Sequence, residues 1–264
     1  MCWVQSRDDF QFTVKLNFSP RRRKIHTGPN LELEEIPQAM PAILTKRMVL
    51  SQINGIYDPL GLATPFTIKA KLLMRELWGV GGKYLEWDDD IPSSIKVKWI
   101  SFFQELFEMR QLSFKRCIQP ADAEGDATLI MFSDASEQAY GTCAYLRWEL
   151  PNATFESRLI AAKSRVAPTK KISVVRLELN AAVMSKRLCK FIKEETRLNY
   201  EIEIFIDDSE IVRAMLQKES YGFNTYAAIR IGKFKLPQIQ KTGNGLRVSG
   251  ILLTGLQEGS ILLT

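Results

Sequence analysis

A short apolar run that ends on a carboxylate constrains this sequence more than any other feature. Residues 129–132 are Leu, Ile, Met and Phe, and Ser133 and Asp134 follow directly. A second run of strand length begins at Tyr140, and its aromatic and small residues favour a strand. A carboxylate at the end of a buried strand is costly unless it is paired, caps a turn or holds a metal ion. Asp134 is therefore either a turn residue or a ligand, and its partners along the chain decide between the two.

The pattern around Asp134 predicts a mixed α/β sheet. Strands are predicted at 129–134, 140–148, 155–163 and 201–206, and a short helix at 210–218. A long helix that begins near residue 176 separates the last two strands, which is the strand–helix–strand pattern of an α/β sheet. The face of this helix predicted to lie in the core consists of Leu177, Ala181, Met184, Leu188, Phe191 and Ile192.

The first half of the sequence is mainly helical in pattern, after a short strand pair within residues 1–19. Helices are predicted from Thr45, over residues 65–78, and after Pro92. The three aspartates at 88–90 precede Pro92, and they are interpreted as a cap and dipole partner of the next helix rather than as a metal site. The change to the strand-rich pattern places a boundary near residue 122.

Three acids occupy special places in the second half. Asp134 ends the first strand, Glu178 lies in the predicted first turn of the long helix, and Asp208 ends the strand after that helix. Each alone has a structural explanation, as a turn residue, a dipole partner and a helix cap. Together they form an all-oxygen ligand set, which selects Mg²⁺ or Mn²⁺. Two such ions can activate water and stabilise the leaving oxygen in phosphodiester hydrolysis.

Composition limits the other classes of protein. The 264 residues are 45% hydrophobic and 25% charged, which is ordinary for globular domains. No apolar run is long enough to span a membrane, no signal peptide is recognisable, and the four cysteines have no paired spacing. We therefore expect an intracellular protein without membrane attachment, zinc site or disulfide framework.

The net charge of +6 includes a basic stretch between residues 158 and 176 that contains no acid. Such a stretch is typical either of a solvated loop or of a surface that binds a phosphate backbone. The candidate nucleic-acid-binding residues are Lys163, Arg165, Lys170, Lys171 and Arg176.

Several stretches carry a family resemblance. Residues 132–136, 176–179 and 206–209 look like successive motifs of a ribonuclease H domain. Residues 44–47 and 56–61, with 70–71, 77–78 and 162–168, resemble the polyprotein of Bel/Pao-type LTR retrotransposons. The resemblance covers roughly residues 1–232. It implies an RNase H that cleaves the RNA strand of an RNA–DNA hybrid with Mg²⁺, and it places the first three metal-binding acids at Asp134, Glu178 and Asp208. Asp208 is preferred to Asp207 because the family's acid immediately precedes a Ser or similar residue.

The sequence also departs from these families. It has no Tyr-x-Asp-Asp box, and the polymerase aspartates are expected upstream of residue 1, so no polymerase activity is expected. An RNase H usually carries a fourth acid near its C-terminus, but after Asp208 the only acids are Glu210, Glu219 and Glu258, none in the expected context. The resemblance stops near Lys235, and the six residues 249–254 are echoed by 259–264. This tail is interpreted as degenerate or frame-shifted sequence, with a final strand of the sheet as the alternative.

The domain prediction that follows has three parts. Residues 1–121 are expected to be the palm end and thumb or connection region of a reverse transcriptase, 122–234 an RNase H-like domain, and 235–264 a divergent tail. The expected function is hydrolysis of RNA in RNA–DNA hybrids with two Mg²⁺ or Mn²⁺ ions, and an inactive RNase H-like domain that lacks the fourth acid is the other expectation. An RNA–DNA hybrid and other polyprotein segments are the expected partners. The alternative is a nucleic-acid-binding or domesticated interaction protein without catalysis.

Overall fold

The structure is a computed structural model that describes residues 1–22, 25–78, 84–234 and 249–253. Contacts within the chain divide it into two compact units. Unit 1 comprises residues 1–59 and 63–117, and unit 2 comprises residues 60–62 and those from 118 onward. Most of the predicted divergent tail, residues 235–248 and 254–264, lies outside the described residues.

Unit 1 contains the predicted N-terminal strand pair. Strands β1 (Cys2–Val4) and β2 (Asp9–Gln11) are antiparallel, and β5 (Ser113–Lys115) joins the other side of β2. The apolar alternation continues past β2 through Phe12 and Leu16, which are buried although they lie outside the strands. Two further strands of two residues each, β3 (Arg21–Arg22) and β4 (Ile25–His26), pair with each other in antiparallel fashion.

The helices of unit 1 pack around one aromatic cluster. Thr45 caps the second helix, because its hydroxyl accepts a hydrogen bond from the Met48 amide at 3.3 Å. Trp99, Phe102 and Phe103 of the fourth helix are buried, with ring centroids 5.6–5.9 Å apart. The described helices of this unit are α1 (Ile36–Ala39), α2 (Lys46–Ile53), α3 (Thr64–Glu76) and α4 (Ser93–Glu108).

The prediction that the three aspartates cap α4 is wrong. The N-cap residue is Pro92, which offers no side-chain acceptor. Asp88 pairs instead with Arg47, at 2.8 Å from its Nε. The Asp90 carboxylate accepts hydrogen bonds from the Leu44 amide at 2.9 Å and from Lys96 Nζ at 2.8 Å. Asp88 and Asp90 therefore connect the loop before α4 to other parts of unit 1 and do not cap the N-terminus of this helix.

Unit 2 is a mixed sheet with helices, as the strand pattern predicts, and it has five strands where the main prediction has four. Its strand order is β10–β9–β6–β7–β8. Neighbours β6–β7 and β7–β8 are antiparallel, whereas β6–β9 and β9–β10 are parallel. The strands are β6 (Glu124–Ala135), β7 (Ala139–Leu150), β8 (Thr154–Val166), β9 (Tyr200–Asp207) and β10 (Ser249–Leu253), and the helices are α5 (Val174–Glu195), α6 (Glu210–Leu216) and α7 (Thr225–Phe234).

Helix α5 covers one face of the sheet, where it packs on β6 and β7 and contributes to the core. Alternate residues of β6 and β7, such as Leu129 and Leu146, are fully buried beneath Leu188 and Ile192 of α5. Phe191, predicted in this apolar face, is 51% exposed instead. The helix turns Leu188, Cys189 and Ile192 inward, so Phe191 lies at the edge of that face, where Lys163 Nζ lies 5.1 Å from its ring centroid.

Two elements go beyond the main prediction. Helix α7 was not predicted. Its buried face consists of Ala227, Ile231 and Phe234, which follow helical spacing. Strand β10 corresponds to the alternative interpretation of the tail, a final strand of the sheet. None of the helices in the described ranges is long and apolar enough to cross a bilayer.

We predict that Trp99→Ala destabilises unit 1 by about 3–5 kcal/mol, because it leaves a cavity in the aromatic cluster. Chemical denaturation followed by far-UV circular dichroism measures the change. Val97→Ala, on the same helix at a 64% exposed position, is the control and is expected to change the free energy of unfolding by less than about 0.5 kcal/mol. Equal effects of the two substitutions would contradict the placement of α4.

Candidate active site at the ends of β6 and β9

The carboxyl ends of two parallel strands meet at the centre of the unit 2 sheet. Strand β6 pairs with β9 so that Ser133 lies opposite Asp207. Side chains opposite each other on neighbouring strands leave the same face of the sheet. The Ser133 hydroxyl indeed donates a hydrogen bond to Asp207 Oδ2 at 2.8 Å. The register therefore brings Asp134 and Asp208, one residue further on each chain segment, to the same edge of the sheet.

Asp207 is the most buried acid of this edge, with 1% of its surface exposed. Its Oδ1 accepts a hydrogen bond from the Ser209 amide at 3.1 Å, so both carboxylate oxygens have partners. Burial raises the pKa of Asp207 to about 6, and the charges of Asp208 and Glu178 add to the increase, against the lowering effect of the two hydrogen bonds. The sequence motif instead favours Asp208, because that acid directly precedes Ser209.

Strand β9 turns Asp207 toward the core. The buried residues of this strand are Glu203, Phe205 and Asp207. Glu203 is tolerated there because two lysines of α5 reach it: Lys186 Nζ lies 3.7 Å and Lys193 Nζ 3.4 Å from its carboxylate oxygens. Only this pairing across elements identifies the face of β9 that packs on α5.

Glu178 approaches the same place from α5. The helix begins after its N-cap residue Ser173, so Glu178 lies beyond the first turn, and the predicted position in that turn is wrong. Its side chain is half-buried, and Oε2 is buried without a hydrogen-bond partner in the described part of the chain. A buried carboxylate oxygen without a donor is unfavourable. Its charge contributes to the raised pKa of Asp207, which places the two carboxyl groups within electrostatic reach.

Asp134 and Asp208 are both exposed at the strand ends. Asp134 Oδ1 accepts a hydrogen bond from the amide of the next residue, Ala135, at 2.6 Å. Because side chains alternate along a strand, Asp134 leaves β6 on the face opposite Ser133. Asp208 follows β9 and directly precedes Ser209, whose hydroxyl caps α6 by accepting from the Val212 amide. The predicted capping role at this turn therefore belongs to Ser209 rather than to Asp208.

The donor chemistry of this edge fits a hard divalent cation. Carboxylate oxygens are the only charged ligands offered by Asp134, Glu178, Asp207 and Asp208, and Mg²⁺ and Mn²⁺ prefer such ligands. The unpartnered Glu178 oxygen and the mutual repulsion felt at Asp207 are both relieved by a bound cation. Within the described ranges, no group of three or more acidic, histidine or cysteine side chains is already arranged to hold an ion.

Two of the five predicted nucleic-acid-binding residues lie in a strand rather than in a loop. Lys163 and Arg165 belong to β8, where they pair with Thr142 and Tyr140 of β7. Both side chains are exposed. The spacing of two residues puts them on the same side of the strand. They therefore form a short basic row along β8, the last strand in the order of the sheet.

The remaining three basic residues connect β8 to α5. Lys170 and Lys171 are exposed in the loop, and Lys171 Nζ lies 3.8 Å from Glu137 Oε1. Exposed pairs of this kind contribute little to stability, so the charge remains accessible to a ligand. Arg176 is exposed on α5, two residues before Glu178, with its guanidinium carbon 4.9 Å from the ring centroid of Tyr226. Basic residues thus lie close in sequence to an acid of the candidate site.

Comparison with solved structures gives two kinds of similar protein. RNase H1 from the halophilic archaeon Halobacterium salinarum NRC-1 aligns with 49% of this chain and 86% of its own, at 9% identity and a TM-score of 0.27. A foamy viral protease–reverse transcriptase in complex with dsDNA aligns with 87% of this chain at 12% identity and a TM-score of 0.45. The alignment spans only 42% of that longer protein. No curated protein sequence matches the chain.

A family model provides the direct assignment. The model described as the Pao retrotransposon-like RNaseH-like domain matches residues 45–209, which run from the cap of α2 to the residue that follows Asp208. The matched segment contains Asp134, Glu178, Asp207 and Asp208. Because the match extends over more than half of the sequence, the chain belongs to the Pao retrotransposon-like RNaseH-like domain family.

Proposed function

We propose that unit 2 hydrolyses the RNA strand of RNA–DNA hybrids with the help of two Mg²⁺ or Mn²⁺ ions. The observation that carries the proposal is the buried, unpartnered Oε2 of Glu178, whose charge acts on Asp207 at the ends of β6 and β9. A structural acid would be paired by a donor or a basic residue, as Glu203 is paired by Lys186 and Lys193. Membership of the RNaseH-like family supports the same reaction.

In this proposal Asp134, Glu178 and Asp208 hold the ions. When bound, the ions would lower the pKa of a water molecule and stabilise the charge on the leaving oxygen. Glu178 would orient the water or share one ion, since its Oε2 accepts no hydrogen bond within the described residues. Asp207 would be a positioning residue, because its hydrogen bonds to Ser133 and to the Ser209 amide fix the strand ends that carry Asp134 and Asp208.

The exposed basic residues of β8, its following loop and α5 would bind the substrate. Lys163, Arg165, Lys170, Lys171 and Arg176 offer positive charge along one segment that ends two residues before Glu178. Contacts with phosphates position a nucleic acid without reading its sequence. Recognition of a hybrid also involves the 2′-hydroxyl groups of the RNA strand in the minor groove.

A second candidate function is binding of nucleic acid without cleavage, including a domesticated interaction role. The observation that favours it is that all five predicted basic side chains are exposed, whatever the acids do. Such a protein would bind hybrids with a strong dependence on salt, and its affinity would be insensitive to loss of the acids. Cleavage assays separate the two functions.

We also propose that residues 1–121 are the end of a reverse transcriptase, its last palm strands with the thumb or connection. The short sheet β1–β2–β5 and the helices α1–α4 support this assignment. In a retrotransposon polyprotein, the segments that precede and follow this chain would be its partners. Co-expression with an upstream polymerase segment and co-purification would test the association.

We predict that the full chain cleaves a labelled RNA–DNA hybrid in Mg²⁺ or Mn²⁺, and that EDTA abolishes cleavage. Asp134→Asn, Glu178→Gln and Asp208→Asn are each expected to lower the cleavage rate by about 100-fold or more, because each removes a charged ligand. Single-turnover assays on a labelled RNA strand measure the effect. Asp126→Asn, an exposed change at the far end of β6, is the matched control and should cleave at the wild-type rate.

The outcomes assign the function. Hybrid binding by the wild type without any cleavage in either metal supports the binding protein and rejects the enzyme. Cleavage that persists in Asp134→Asn and Asp208→Asn but disappears in Asp207→Asn would move the ligand role to the buried acid.

Asp207 generates a prediction about stability in EDTA. Its folded-state pKa of about 6 is raised above the ordinary value of 3.8, so the protonated form is favoured in the folded protein. The stabilising contribution is complete below about pH 4 and is lost as the pH rises through 6. Asp207→Asn should therefore match the wild type in free energy of unfolding near pH 4 and exceed it by up to about 3 kcal/mol above pH 7.

Urea denaturation at a series of pH values between 4 and 8 measures this difference. Asp126→Asn, which alters an exposed carboxyl group, is the control and should show a small difference that does not vary with pH. A constant difference between Asp207→Asn and the wild type over this range would contradict the buried, repelled state of Asp207.

A further inference from the structure

Helices α5 and α7 present two pairs of residues to each other near the N-terminal end of α5, the end that also carries Glu178. Arg176 and Asn180 are four residues apart on α5, and Tyr226 and Arg230 are four residues apart on α7. Residues at this spacing lie on the same face of a helix, one turn apart. The two helices pack together, so the four side chains form one cluster, called here the Arg–Tyr cluster.

Hydrogen bonds hold the cluster in one arrangement. Asn180 Nδ2 donates to the Tyr226 hydroxyl at 2.9 Å, and Asn180 Oδ1 accepts from Arg230 Nε. Arg230 also donates from Nη1 to the Tyr226 carbonyl at 3.0 Å, and its guanidinium carbon lies 3.5 Å from the Tyr226 ring centroid. Two of the nitrogens of Arg230 are thus fixed, and Nη2 has no acceptor among the described residues.

Arg176 contacts the same ring, and its guanidinium N–H groups donate no hydrogen bond within the described residues. Its guanidinium carbon lies 4.9 Å from the Tyr226 centroid, and its side chain is exposed. In the described part of the chain, neither Arg176 nor Arg230 forms an ion pair with a carboxylate, whereas Arg158 and Lys186, two partly buried cations of unit 2, do. Glu178 does not neutralise them, because two residues along a helix correspond to the opposite face, and its charge acts on Asp207.

Two guanidinium groups held at one aromatic ring without an acid form an anion site. The electron-rich face of Tyr226 compensates part of the repulsion between the two cations, but no formal negative charge does so. A guanidinium offers a planar set of donors that matches phosphate oxygens, and groups already held in place lose little conformational entropy on binding. Arg230 is thus preorganised to donate to a tetrahedral anion, and Arg176 offers further donors at the same ring.

We propose that the Arg–Tyr cluster binds a backbone phosphate of the nucleic acid strand that passes the candidate active site. Arg176 and Arg230 donate to the phosphate, and Asn180 and Tyr226 are positioning residues that hold Arg230. The identity of the ligand as an RNA–DNA hybrid rests on the proposed function; the anion site rests on the cluster itself. This adds α7, which no sequence motif indicated, to the binding surface.

Fluorescence anisotropy of a labelled RNA–DNA hybrid in EDTA tests the proposal with the full chain. Arg176→Gln and Arg230→Gln should each weaken binding about 5- to 10-fold at low salt. Each should also reduce the slope of log K against log salt by about 0.9, because one phosphate contact is lost. Arg197→Gln removes the same charge at an exposed position beyond the other end of α5, roughly 30 Å away, and should change affinity less than twofold.

Two further measurements keep the test independent of folding and of catalysis. Arg176→Lys keeps the charge and should restore part of the affinity, while circular dichroism and thermal unfolding show that each variant is folded. Wild-type affinity and salt slope in both glutamine variants, losses equal to that of Arg197→Gln, or absence of hybrid binding by the wild type would each overturn the cluster. Loss of binding in the variants of a wild type that does not cleave in Mg²⁺ or Mn²⁺ would reject the proposed function and leave the phosphate site standing.

Discussion

The parallel pairing of β6 with β9 is the interaction on which the candidate site depends. These strands are far apart in sequence, and α5 must run back across the sheet before β9 can lie beside β6. The register is held at its end by the hydrogen bond from Ser133 to Asp207, next to the two exposed acids. A shift of one residue would exchange the faces of every side chain in β9 and would place Asp207 on the other side of the sheet.

Burial of charge is managed differently at the two ends of β9. Glu203 is paired by Lys186 and Lys193 of α5, so a carboxylate inside the core is compensated within the protein. Asp207 has hydrogen-bond donors but no basic partner, and its pKa is raised by burial and by neighbouring acids. Such uncompensated negative charge near a half-buried Glu178 is typical of functional sites rather than of structural ones. In the proposed function, a bound cation would compensate this charge as the two lysines compensate Glu203.

The basic residues of unit 2 carry the charge opposite to that of the acids at the ends of β6 and β9. The basic residues of β8 and of the loop that follows it are exposed and contribute positive charge. Arg230, in contrast, is held in place by Asn180 and Tyr226. A phosphate backbone can be attracted by the former and positioned by the latter, since attraction depends on net charge and positioning on fixed donors. In the proposed function, the acids would hold the metal ions and the basic groups would bind the substrate.

The sequence by itself determined the strands β6 to β9, helix α5 and the order of the acids Asp134, Glu178 and Asp208. Hydrophobic periodicity and local motifs encode these features, because each depends on neighbours within one element. Only the tertiary structure decided that Asp207 is buried, that Phe191 is exposed and that α7 brings Arg230 to Asn180 of α5. These depend on which face each element turns toward another. Pairing between distant elements, such as Glu203 with the lysines of α5, settles the orientation, and no local pattern contains it.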